Sequence, residues 1–259
     1  MKNSIIILIV SLLIWSCKKD VIVPPEPLPP LNYIDTTGFL EIHVDNVVNG
    51  TPLALGTTTY VSSFTDTFSV DILKYYISNV QLVTASGYTY TEANSYYLVN
   101  EANSNSLHLM IKKVPPGQYT SINFLIGVDS AKNVSGAQDG ALDPINDMFW
   151  DWNTGYIMAK MEGHSPQSTQ PTKKIVYHIG GFADKFKGIR NVSLNFPNSA
   201  NITKTHTPIL NVDADLYKWF LNPNFSDFNT SSVITGIGDE SKGIADNYVN
   251  MFTVISVIN

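Results

Sequence analysis

Alternation of apolar and polar residues with a period of two runs through most of this chain and confines its body to strands. Gly38-Phe39-Leu40-Glu41-Ile42-His43-Val44-Asp45 alternates throughout, and Asn49-Gly50 follows as a hairpin-type turn. Residues 68–83 (FSVDILKYYISNVQLV) read as one long strand with an irregularity near Lys74-Tyr75-Tyr76. Ser86-Gly87 and Pro115-Pro116-Gly117 mark turns, and further strands are expected over residues 88–91, 95–99, 106–111, 119–128, 155–162, 174–178, 191–196, 207–212 and 252–258. An aspartate of Asp213-Ala214-Asp215 caps a short helix through Phe220, and residues 240–251 read as helical. Many short strands with turn signals and no internal repeat imply an all-β, β-sandwich-like domain with long loops and one or two short helices.

The N-terminus carries an address. Residues 1–16 read as a lipoprotein signal peptide: Lys2 is followed by an apolar run, Ile5 to Ile14, too short for a settled membrane span. Ser16-Cys17 after that run resembles a bacterial lipobox, in which the cysteine is lipidated and becomes the first mature residue. An ordinary signal peptide or a single membrane anchor is the plainer alternative. Cys17 is the one cysteine of the chain, which fits lipidation and excludes an intramolecular disulfide or a cysteine-based zinc site. Residues 17–34 then form the lipidated linker, with five prolines between Lys18 and Asn32 that favour extended, semi-rigid geometry. The expectation is a membrane-tethered protein of the cell envelope, at the outer membrane, with its folded domain over residues 35–259.

Composition narrows the partners. A formal net charge of −6 and a charged fraction of 15% argue against nucleic acid, which needs a basic face. No Gly-x-Ser-x-Gly, phosphate-cradling glycine loop or distinctive carboxylate pair occurs, so the chain is read as no enzyme.

Three groups of residues invite a functional reading. Trp150-x-Trp152, with Asp151 between and Asn153-Thr154-Gly155 after, is either an aromatic plug beneath a sheet or part of a site. Of five histidines, His43 and His178 lie mid-strand among β-branched residues, where neutral imidazole suits copper or zinc. Each alone is more often a core histidine bonded to backbone. His108 is either packed or a third ligand, whereas His164 and His206 sit in polar, loop-like surroundings. The loop at residues 129–147 holds Asp129, Asp139, Asp143 and Asp147, an oxygen-rich set that calcium accepts, but it lacks EF-hand spacing and reads first as a solvated acidic loop.

Several segments, in order, resemble one family: Leu73-Lys74-Tyr75-Tyr76-Ile77-Ser78-Asn79, Phe124-Leu125-Ile126-Gly127-Val128-Asp129-Ser130, Gly140-Ala141-Leu142-Asp143-Pro144, Met148 through Tyr156, and His178-Ile179-Gly180-Gly181. Across about residues 38–256 the chain is similar to the MbnP-like family of exported copper-binding proteins, in its Bacteroidetes-type lipoprotein branch. The resemblance implies copper held by two histidines, here His43 and His178, with a tryptophan oxidised to kynurenine, for which Trp150 and Trp152 are the candidates. It also implies a dihaem peroxidase-type enzyme as partner. Characterised members place the modified tryptophan two residues before a ligand histidine in some cases, and no Trp-x-His occurs here. Met110, Met158 and Met161 are candidate thioether donors for Cu(I). A competing expectation is a cell-surface module that binds a protein or glycan and no metal, with exposed aromatics among Tyr88, Tyr90, Tyr96 and Tyr97.

Overall fold

The computed structural model describes residues 36–150, 155–221, 223–224 and 227–259. The signal peptide, Cys17, the proline-rich linker and Trp152 lie outside the described residues. The longer strands, in chain order, are β1 (Gly38–Val48), β2 (Thr67–Thr84), β3 (Tyr96–Asn100), β4 (His108–Val114), β5 (Gly117–Ile126), β6 (Ala159–His164), β7 (Lys174–Ile179), β8 (Arg190–Ile202), β9 (Ile209–Asp215), β10 (Val233–Gly236) and β11 (Phe252–Ile258). Two α-helices join them, α1 (Ser130–Val134) and α2 (Asp239–Tyr248).

These strands make two sheets. One has five strands in the order β11-β9-β1 and the short Thr51–Pro52, with β4 also pairing β1. The other has nine, ordered β8-β5-β2-β6-β7-β10, with β3 and two short strands, Tyr60–Val61 and Thr89–Thr91, added along β2. Alternation decides which face of each strand turns inward. Leu40, Ile42 and Val44 of β1 join Tyr75 and Ile77 of β2 and Tyr177 of β7 in one continuous core. Phe252 of β11 meets both Tyr75 and Phe124 edge-on, at ring-centroid distances of 5.8 and 5.1 Å, which ties the two sheets together. The fold is therefore the all-β sandwich that the alternation implied.

A second, smaller core lies on the other face of the nine-stranded sheet. Tyr76, Val128, Leu142, Met148, Trp150, Tyr156, Ile157 and Met158 form it, beneath the loop at residues 129–147. That loop is built from α1 and two 3₁₀ turns, Gly140–Leu142 and Pro144–Asn146. Both faces of β2 are thus apolar at its middle, which explains the consecutive buried residues Tyr75, Tyr76, Ile77 and Ser78.

The structure departs from the sequence expectation in three places. The irregularities in β2 flank Lys74-Tyr75-Tyr76 and do not fall on it: the register with β6 shifts between Val70 and Ile72, that with β5 shifts between Ser78 and Gln81 and again between Val83 and Thr84, and Asn79 takes a left-handed φ of 54°. The expected strand at residues 155–162 is two pieces. Gly155–Tyr156 pairs with Phe149–Trp150, and only Ala159–His164 enters the large sheet. The short strand β10 was not anticipated; it joins the sheet by pairing in parallel with β7.

Candidate functional site

On the outward face of the nine-stranded sheet a polar row crosses three adjacent strands. Register aligns Lys74 of β2 with Lys160 of β6, and Lys160 with His178 of β7. The side chain of Lys160 is only 3% exposed. It survives there because carboxylates and carbonyls replace its water: its ammonium donates to the backbone oxygen of Asp147 at 3.1 Å, is ion-paired with the Asp147 carboxylate, and stands 3.7 Å from Glu162. Lys74 donates to the backbone oxygen of Asn146 at 2.8 Å. Burial, and then the neighbouring Lys160 ammonium, hold Lys74 below the ordinary lysine pKa. The two lysines therefore pin the far end of the acidic loop to the sheet.

His178 closes the row. Its Nε2 lies 2.8 Å from a Glu162 carboxylate oxygen, and its side chain is 18% exposed. Burial is the main reason its pKa is lowered; the Glu162 bond opposes that shift and the Lys160 charge adds to it. Burial thus favours the neutral ring, and the bond to Glu162 fixes its orientation. Two residues further on the same face is Gly180, where a Cβ would lie 2.1 Å from the Trp150 indole. A side chain at this first glycine of the His-Ile-Gly-Gly motif would collide with the tryptophan ring. Trp150 is 6% exposed and packs in the smaller core, as the plug beneath the acidic loop.

His43 lies elsewhere. On β1 it faces outward with Glu41 and Asp45, since Leu40, Ile42 and Val44 turn inward. Directly across on β4 is His108, and the two imidazoles stack with centroids 4.4 Å apart and planes 16° from parallel. His108 Nδ1 sits 2.7 Å from a Glu41 carboxylate oxygen, and His43 Nε2 sits 3.9 Å from Asp45. The structure therefore does not bring His43 and His178 together: they project from different sheets, each with its own partners. One ion, with bonds of about 2 Å to each nitrogen, needs its ligand nitrogens within about 4 Å. Sequence spacing gave no signal of the His43–His108 pairing, because register between β1 and β4 is a tertiary fact.

The remaining candidates are accounted for by their surroundings. Among the loop aspartates, Asp129 caps α1 and accepts from the Tyr96 hydroxyl, Asp143 accepts from the Ile145 N–H, and Asp147 takes Lys160. Met161 faces the main core, Met158 is buried with its sulfur 3.2 Å from the Val128 nitrogen, and Met110 stands between the inward Leu109 and Ile111. His164 pairs with Asp71 at 2.9 Å, and His206 is exposed. Among the described residues, no three or more His, Cys, Asp or Glu side chains converge as a ready metal cage.

A two-sheet sandwich with histidines on its outward faces defines the class of the protein as all-β. The profile of the MbnP family matches residues 37–235, and the chain belongs to that family. In fold it is similar to MbnP from Methylosinus trichosporium, at 15% identity and a TM-score of 0.52, over 79% of this chain and 83% of that one. No curated protein sequence matches it.

Proposed function

We propose that this protein is a lipid-anchored metal-binding protein of the cell envelope, copper first, and not an enzyme. The observation that carries the reading is the half-buried His178–Glu162 pair, two residues along the chain from the glycine, Gly180, against which Trp150 packs. It supplies an imidazole held by Glu162 and biased to the neutral form by burial, in the same motif as the glycine that packs against a tryptophan of the kind the family resemblance marks for oxidation. When bound, copper would use an imidazole nitrogen of His178, a soft-to-borderline donor that both oxidation states accept. The fit is partial. His43, the second imidazole implied by the resemblance, is on the other sheet, so further donors would come from Glu162, Asp147 or a modified Trp150. Trp152 remains the second candidate for oxidation, with a dihaem peroxidase-type enzyme as the partner performing it. Cys17 would carry the lipid, with the domain outside the cytoplasm at the outer membrane.

Family membership supports a metal-related role, and the surface tyrosines do not favour a glycan or protein module: of Tyr88, Tyr90, Tyr96 and Tyr97, only Tyr88 is exposed. A Cu(I) titration of the full-length chain in detergent tests the proposal. His178→Ala is expected to lose the tightest equivalent, whereas equal affinity and stoichiometry in both proteins overturns it.

A further inference from the structure

We infer that the outward face of the nine-stranded sheet, where β2, β5 and β8 lie side by side, is a binding site for a neutral oligosaccharide.

The argument starts from register. Val80 and Leu82 of β2, Phe124 of β5 and Val192 of β8 turn into the main core. Their neighbours Gln81, Asn123, Leu125, Asn191 and Ser193 therefore face outward. Pairing sets Gln81 beside Asn123 and Asn123 beside Ser193, with Asn191 beside Leu125 in the next row. Register shifts between Ser78 and Gln81 on β2, and between Asn195 and Ala200 on β8, bend these strands. An open groove of about 470 Å³ lies over the patch, with Asn79 also in its lining. That volume is within the range of about 300–1,000 Å³ that small-molecule sites occupy.

No charged side chain lines the groove. β8 is an edge strand, where charge commonly guards against stray pairing, yet its outward residues here are Asn191, Ser193 and Asn195. Depletion of charge marks the centre of a binding surface. The amides are also uncommitted. Among the described residues, the side chains of Gln81, Asn123, Asn191 and Ser193 are not bonded to other protein groups. Carboxamides elsewhere in the fold are taken up: Asn46 donates to Glu101 at 2.8 Å, and Asn247 to the Trp219 backbone oxygen at 2.8 Å. Only Asn79 is engaged, through its bond to Asp129.

The lining selects the ligand class. A charged ligand would find no countercharge in the groove, and an apolar one would leave the amides unpaired. A protein segment needs pockets for apolar anchors, and Leu125 is the single outward apolar side chain in the lining. Sugar hydroxyls each donate and accept, as carboxamides do, so a row of amides can meet a row of hydroxyls bond for bond. Leu125 then meets the C–H face of a sugar ring. The groove shares no residue with the His178 site and uses none of the surface tyrosines, so it stands whether or not copper binds.

The test is saturation-transfer NMR of maltohexaose, cellohexaose and mannohexaose, each titrated into the full-length chain in a polyoxyethylene detergent that carries no sugar. Trigalacturonate is the charged control. Wild type is expected to bind at least one of the three neutral sugars, about tenfold or more tighter than trigalacturonate. Asn123→Ala and Asn191→Ala should each weaken that binding by about fivefold or more, whereas His178→Ala should leave it unchanged. Circular dichroism checks that the variants fold. Silence from all three neutral sugars overturns the site, as does affinity within about twofold of wild type in both asparagine variants, or equal binding of trigalacturonate. A dimer by light scattering that Asn123→Ala dissolves would give this face to a second copy of the chain and overturn the sugar reading.

Discussion

The two histidine-bearing faces of this sandwich are built on opposite plans. His178 lies in a row of charges beneath a loop, with Lys160 almost wholly buried and Trp150 pressed onto Gly180. His43 and His108 stand in the open, touching one another and two carboxylates. On the covered face Lys160 and His178 have been largely taken out of water, at 3% and 18% side-chain exposure, so their partners are hard to replace and loss of one is costly. On the open face water can replace every contact, so the stacked pair owes little to stability. What the contrast teaches is that burial makes the partners of Lys160 and His178 necessary to the fold, whereas exposure leaves the His43–His108 pair dispensable to it.

That contrast can be broken by mutation. Trp150→Ala should have the largest effect, removing about 3–5 kcal/mol of stability, because it empties the smaller core beneath the acidic loop. Denaturant unfolding measures it, and a loss below about 1 kcal/mol would mean that the indole is not packed as described. The pH dependence is intermediate. The folded-state pKa of His178 lies below its ordinary value of 6.5, so on acidification the unfolded chain takes up this proton first. Stability of the metal-free protein is then full above about pH 6.5 and falls below it, by at most about 1.4 kcal/mol per pH unit for this one group. His178→Gln should flatten that part of the profile, and an unchanged slope removes His178 as its source. The smallest effect belongs to the open face: His43→Ala and His108→Ala should each change metal-free stability by no more than about 0.5 kcal/mol. A larger loss would make the stacked pair structural and erase the distinction.

Most of the architecture was legible in the residues. Alternation placed β1, β4, β7 and β11, the Asn49-Gly50 turn and the Asp215 cap of the 3₁₀ turn Leu216–Phe220. The order of motifs pointed to the family, which the match over residues 37–235 shows. The site was legible only in pieces. His178 and Trp150 belong to motifs that can be read along the chain, but the packing of Trp150 against Gly180 depends on how a loop folds back over a sheet. His43 was singled out as a strand histidine, yet its partner is set by pairing with a strand some 65 residues later. Lys160 escaped notice because a lysine in a strand reads as an outward, solvated residue, and only the loop above it makes it buried.

The parallel pairing of β1 with β9 also governs how the molecule comes to be. The first strand of the body lies in the middle of its sheet, and the neighbour that covers one of its edges is residues Ile209–Asp215, itself flanked by Phe252–Ile258. Until those distant residues arrive, β1 presents an unpaired edge and an uncovered apolar face. Closing such long loops before any contact rewards them makes folding slow, in the range of milliseconds to seconds or longer. The early chain therefore carries β1 with one edge open until the last fifth of the sequence joins it.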